Sequence, residues 1–221
     1  MEHKIHTVIF DLDGTLTDSA IVTGAACERI APGYGLPIPS YEEIRRAMGY
    51  QMPEFFYLLF PDFPKDKVAI AGEQIYAEGL RLVPDFKDRL LFEGCRETLL
   101  RLKENNIHLY IVSAGEPDRV PPVLEMTGII DLFDKVLCGI SDKAEMIRGI
   151  VNDDDKTGYV MVGDMKKDHE AARVNGIISV GACYGYCRKE EENFDYYIDS
   201  PFDLLGILKI EEKKDAAYNN I

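Results

Sequence analysis

Asp11 and Asp13 flank a single residue in the run HTVIFDLDGT, directly after a short apolar stretch. Carboxylates so placed, followed by Gly14 and Thr15, suit a cation site or a nucleophile with a neighbouring acid. Other polar residues share their situation, each following a run that reads as a strand. These are Ser113 with Ala114 and Gly115, Lys143 at the start of a helix, Asp164 after Gly163, and Asp168 further along. Carboxylates without a matching basic cluster invite a hard cation, and Mg²⁺ is commonly held by one or two carboxylates, waters and substrate phosphate. A carboxylate beside such an ion stays ionised and can attack as a nucleophile. Lys143, Ser113 and the N–H groups of the turns can hold phosphoryl oxygens. Asp13 can protonate a leaving oxygen and later deprotonate water. Singly these residues mean less: an Asp-x-Asp-Gly turn caps itself, Ser113 can cap a helix, Lys143 can be a solvated side chain, and Asp168 suits the first turn of a helix. Their joint placement is what points to chemistry.

The elements that must bring them together follow from the hydrophobic pattern. Residues 6–10 form an apolar, β-rich run that reads as a buried strand. Segment 18–87 reads as helical, with helices at 20–31, 41–48, 53–59 and 65–82 broken by prolines. After it, strands predicted at 107–112, 135–138, 159–162, 177–181 and 196–198 alternate with helices at 94–105, after Pro117, at 142–152, 166–175 and 202–209. Such alternation implies a mostly parallel, Rossmann-like α/β sheet with its ligand beyond the carboxyl ends of the strands.

The order D-x-D-G-T, Ser, Lys and G-D-x-x-x-D resembles the four motifs of the haloacid dehalogenase superfamily, over residues 6 to 208. DLDGTLTDS is the most specific stretch, and VGDMKKDHEAARVNGIISVGACYGY is similar to phosphoglycolate phosphatase-like members. The resemblance implies a core at 1–16 and 88–208, an inserted all-α cap at 17–87 and a flexible tail at 209–221. It implies Asp11 as nucleophile and Asp13 as general acid and base, its carbonyl also on the metal. Phosphate is then held by Asp11, Gly14, Thr15, Ser113, Ala114 and Lys143, and Mg²⁺ by Asp11, Asp13 and Asp164 with Asp168 in support. The stretch around Arg45, Gly49, Tyr50 and Gln51 resembles the cap loop that faces the site in related enzymes. The second Asp favours phosphate chemistry over C–halogen cleavage.

The implied activity is that of a magnesium-dependent phosphomonoesterase of the phosphoglycolate phosphatase type acting on a small phosphorylated metabolite. A nucleotidase, a pyrophosphatase, a sugar-phosphate phosphatase and a phosphoglucomutase are alternatives within the superfamily. A receiver-type signalling module, which also phosphorylates an Asp, is the alternative from another class. An EF-hand fails, because position six counted from Asp11 is Leu16 and position twelve is Val22. No G-x-G-x-x-G follows the first strand, and no P-loop motif occurs.

The balance of 25 basic against 39 acidic residues, a net charge of −14, opposes nucleic acid or an anionic membrane as partner. It also requires local positive charge wherever a phosphate binds. No run of ~18 apolar residues is present. The five cysteines, with Cys183 and Cys187 as an isolated C-x3-C, fit reduced thiols in a cytoplasmic monomer or homodimer.

Overall fold

The computed structural model describes residues 4–48, 50–140, 142–189 and 193–210. The expected tail from 211 onward therefore lies outside the described residues, as does Gly49.

Strand β1 (Thr7–Phe10) is buried along its whole length, as a continuous apolar run requires. It pairs in parallel with β2 (His108–Ser113) on one side and β4 (Tyr159–Gly163) on the other. Adding β3 (Lys135–Cys138), β5 (Ile178–Ala182) and β6 (Tyr196–Ile198) gives a six-stranded sheet of order β3-β2-β1-β4-β5-β6. Every pairing is parallel.

Both faces are covered, and the period-two alternation of a strand divides the apolar residues between them. Ile9, Val112 and Met161 pack against α7 (Lys143–Arg148) and α8 (Lys166–Asn175), through Met146, Ile147, Ala171 and Ala172. Val8, Phe10 and Val162 join the other core with α5 (Cys95–Glu104), α6 (Val120–Met126) and α9 (Asp203–Ile207). The strand order reverses between β1 and β4, and ligands of doubly wound sheets bind in the crevice at that point.

Between β1 and α5 the chain forms α1 (Ser19–Ile30), α2 (Tyr41–Ala47), α3 (Glu54–Leu59) and α4 (Lys65–Leu90), and no strand among the described residues. Ser40 and Glu43 start α2 with a reciprocal capping box. Phe56 of α3 packs on α4 at Gly72, where a Cβ would stand 2.5 Å from its ring. The two ends of the insert run side by side: the Asp18 N–H donates to the Leu90 carbonyl at 2.8 Å, and the Phe92 N–H to Leu16 at 3.0 Å.

Two boundaries differ from the sequence reading. Helix α4 continues through Pro84 to Leu90 instead of stopping at 82. Proline removes one rung of the helix and crowds the preceding turn, but Leu82, Val83 and Leu90 are all buried, and their packing outweighs the local penalty. Helix α7 ends at Arg148, four residues early, with Gly149 at its C-cap. The remaining limits agree within the usual fraying of element ends. No disulfide joins the cysteines, and no helix among the described residues is long and apolar enough to cross a membrane.

Candidate active site

The strands that carry the polar residues end level with one another. Phe10 is in register with Ile111 of β2 and Val162 of β4, and the Asp11 N–H extends the ladder to the Val162 carbonyl at 2.9 Å. Asp11, Ser113 and Asp164 are therefore delivered to the same sheet edge, and all three are buried.

A tight turn follows β1. The N–H groups of Leu16 and Thr17 both reach the Leu12 carbonyl, and the Gly14 N–H donates to Thr17 at 2.8 Å. Gly14 has φ +82°, and a Cβ there would overlap both Asp164 Oδ2 and the Tyr186 ring. Gly14→Ala is therefore expected to strain the turn by about 1–3 kcal/mol and to displace Asp164. The expected result is a lower Tm together with at least a ~10-fold loss of phosphate release. An unchanged Tm would contradict this packing.

Lys143 opens α7 and reaches into the crevice. Its Nζ lies 2.8 Å from Asp11 Oδ2 and 2.6 Å from Asp168 Oδ1, with 7% of the side chain exposed. The other Asp168 oxygen accepts from the backbone N–H groups of Met165 and Asp164, so Asp168 caps α8 and holds Lys143 at once. Burial raises the Asp11 carboxyl to about 7 against the pull of the Lys143 ammonium. Burial and then the charges of Asp11 and Asp168 push Asp164 well up. Burial works against the charge on Lys143, but the paired carboxylates prevail and raise its pKa.

Carboxylate oxygens of Asp11, Asp164 and Asp168 lie within 4.8 Å of one another. Thr15 donates to Asp164 Oδ1 at 3.1 Å, while Asp164 Oδ2 is buried with no hydrogen-bond partner. An orphaned carboxylate oxygen beside another anionic side chain, in an all-oxygen donor set, fits a hard divalent cation.

The sequence-derived residues separate into groups at this point. Asp11, Asp164, Asp168 and Lys143 meet. Ser113 and Ala114 line the adjoining cavity, and the Ser113 hydroxyl oxygen accepts from the Gly115 N–H at 3.0 Å. Of Gly14 and Thr15, also expected to hold phosphate, the Gly14 N–H is engaged on the Thr17 carbonyl and the Thr15 hydroxyl on Asp164. The carboxylate of Asp13 stands apart from the carboxylate cluster. It is held by Arg119, with Nη1 at 3.0 Å from Oδ1 and a second, shorter contact from Nη2 to Oδ2. Burial works to raise the Asp13 carboxyl, and the Arg119 guanidinium overrides it and holds it below the usual carboxylate range.

Arg119 is a residue of this site that the sequence reading missed. It sits at the N-cap of α6 and lines the cavity. The available signal was weak: it is the sole Lys or Arg between Lys103 and Lys135, just beyond the Ser113 strand end.

The cavity has a volume of about 170 Å³ and opens between this sheet edge and helices α1, α3 and α4. Tyr50 and Gln51 line it. Arg45 is turned elsewhere: its Nη2 donates to the Gly185 carbonyl at 2.5 Å, and its guanidinium lies over the Tyr41 and Tyr186 rings at 5.8 and 5.3 Å. Tyr186 in turn donates to Asp18 at 2.8 Å and accepts from the Ala20 N–H. Arg45 thus joins α2 to the loop after β5.

The family model for haloacid dehalogenase-like hydrolases matches residues 8–182. A phosphoglycolate phosphatase of Vibrio parahaemolyticus is 27% identical, over 95% of this chain and 98% of its own. One from Synechococcus elongatus is 26% identical, over 91% and 96%. Among solved structures, a haloacid dehalogenase-like family hydrolase from Streptococcus pneumoniae superposes with a TM-score of 0.79 at 23% identity, covering 92% of this chain and 98% of that one.

Proposed function

The chain belongs to the haloacid dehalogenase-like hydrolase family, and from that premise we propose that it is a phosphoglycolate phosphatase-like phosphomonoesterase working through an aspartyl-phosphate at Asp11. The observation that carries this reading is that Asp11, Asp13, Ser113 and Lys143 line one cavity, with Asp164 clustered against Asp11 behind it. Relatives named as phosphoglycolate phosphatases along nearly the whole chain support it.

A carboxylate oxygen of Asp11 attacks phosphorus, and the bond from phosphorus to the ester oxygen breaks. Asp13 gives that oxygen its proton. Water, deprotonated by Asp13, then attacks the phosphorus of the aspartyl-phosphate, freeing phosphate and regenerating Asp11. Lys143 and Ser113 bind the phosphoryl oxygens and keep phosphate near Asp11 despite like charge. Arg119 pairs with the Asp13 carboxylate left once that proton has gone, and the proton Asp13 then takes from water restores the acid form for the next turnover. Asp11 and Asp164, with the Asp13 carbonyl, would hold Mg²⁺, and Asp168 supports them through Lys143 and the turn before α8. When bound, the ion supplies charge neutralisation between phosphate and carboxylate.

We assign residues 18–90 as a cap. Its paired ends, Asp18 to Leu90 and Leu16 to Phe92, form one double connection to the core. Because α4 is continuous to Leu90, the boundary moves three residues beyond the sequence expectation. Such a cap excludes water from the crevice.

The test is phosphate release from p-nitrophenyl phosphate in EDTA and after Mg²⁺ is restored. Activity is expected only with the ion. A rise in Tm on adding Mg²⁺ provides a readout independent of turnover, since an ion that binds the native site stabilises it. Full activity after exhaustive chelation would overturn the metal assignment. A long-lived phosphoenzyme without turnover would favour the receiver-type module.

A further inference from the structure

The cavity beyond the phosphate-binding groups is the part of the site that the motifs leave undescribed. Beside the polar groups of Ser19, Thr23, Tyr50, Gln51 and Tyr76, its cap side carries Val22 of α1, Phe55 and Phe56 of α3, and Ile75, Leu80 and Val83 of α4. These side chains come from three helices and present hydrocarbon to whatever extends from the phosphate. Pockets of this composition fix the position of a ligand by shape and by excluding water.

The cations lining the cavity, among the described residues, are Lys143, Arg119 and Lys167. Lys143 is held between Asp11 and Asp168, and Arg119 pairs with Asp13. Lys167 is at an exposed position, its ammonium 4.9 Å from the centre of the Tyr50 ring. Glu116, also at an exposed position, offsets that cation with a carboxylate on the lining. A leaving group bearing its own carboxylate or second phosphate would lose its hydration against hydrocarbon and face Glu116. Burying an ion without a paired partner is costly.

We infer that the cavity selects phosphomonoesters whose leaving group is uncharged and largely apolar, in preference to anionic ones such as phosphoglycolate. This rests on the phosphomonoesterase reading above, keeps its chemistry at Asp11, and sets the leaving group apart from the phosphoglycolate for which the relatives are named. An engineered apolar cavity of about 150 Å³ takes up one benzene ring, and the cavity here, partly open to solvent, has about 170 Å³. A short branched alkyl group or a single small ring fills that space.

The test uses an isosteric pair, 3-methylbutyl phosphate and 3-phosphooxypropanoate, which differ by isopropyl against carboxylate on otherwise equal chains. The expected kcat/KM ratio favours the methylbutyl ester by about 10-fold or more, the discrimination a hydrophobic pocket gives. Leu80→Arg, at a half-buried position on the wall, is expected to narrow or invert that ratio by supplying a cation. Equal rates, or preference for the carboxylate, in an enzyme that hydrolyses p-nitrophenyl phosphate would overturn the selectivity while leaving the phosphatase reading intact. No turnover of p-nitrophenyl phosphate or of either ester, with Mg²⁺ present, would overturn both.

Discussion

Replacing Asp11 with Asn is expected to lower phosphate release to below about 1% of wild type, at least ~100-fold, while Tm changes by only a few degrees. The amide is nearly isosteric with the carboxylate but is not a nucleophile, so no aspartyl-phosphate can form. The fold should tolerate the change because Lys143 keeps Asp168 as its partner at 2.6 Å. The substitution also removes one of the crowded carboxylates, whose burial is unfavourable to its charge. Steady-state assays with p-nitrophenyl phosphate, alongside thermal melts, measure both quantities. Activity retained at more than a few per cent would remove Asp11 from the role of nucleophile. A variant that was inactive because it failed to fold would be exposed by its melt.

Substitution of Lys143 by Met should be the most damaging change to stability at the site as well as to rate. The ammonium is the buried counter-charge for Asp11 and Asp168, and Asp164 lies in the same carboxylate cluster. Removing one partner of a buried ion pair leaves uncompensated charge and typically costs ~3–5 kcal/mol. The loss should be largest in EDTA and partly recovered in Mg²⁺, which supplies positive charge to the same oxygens. Rate should not recover with stability, since the phosphoryl group loses its ammonium partner. At least a ~100-fold deficit is expected even at saturating Mg²⁺. Melts and phosphate release, each with and without the ion, separate the two effects. A variant as stable as wild type in EDTA would show that Lys143 does not balance these carboxylates. A Mg²⁺-saturated variant at near wild-type rate would show that it does not bind phosphate.

The amino-acid sequence by itself placed Asp11, Ser113 and Asp164 at the ends of strands. In a parallel α/β sheet the reactive groups follow the carboxyl ends of strands, and each strand is marked locally by an apolar run. Asp11, Ser113 and Asp164 could therefore be named from neighbours within a few residues, and the parallel order of the strands was enough to bring them together. The helical nature of the insert was equally local. What surrounds those groups was decided by contacts between distant segments, which leave no periodicity in the chain. Arg119 meets Asp13 across 106 residues, and Arg45 leaves the cavity for Gly185 across 140. Thr15 is drawn to Asp164 across 149, because burial makes an unpartnered carboxylate oxygen costly enough to claim a nearby hydroxyl. Pro84 sits inside α4 against its own preference, because Leu82, Val83 and Leu90 gain more from burial than the missing rung costs. The apolar wall opposite the phosphate site is likewise a property of packing: Val22, Phe55 and Leu80 lie on three different helices, α1, α3 and α4. Only their arrangement around one cavity turns them into a surface that a substrate must match.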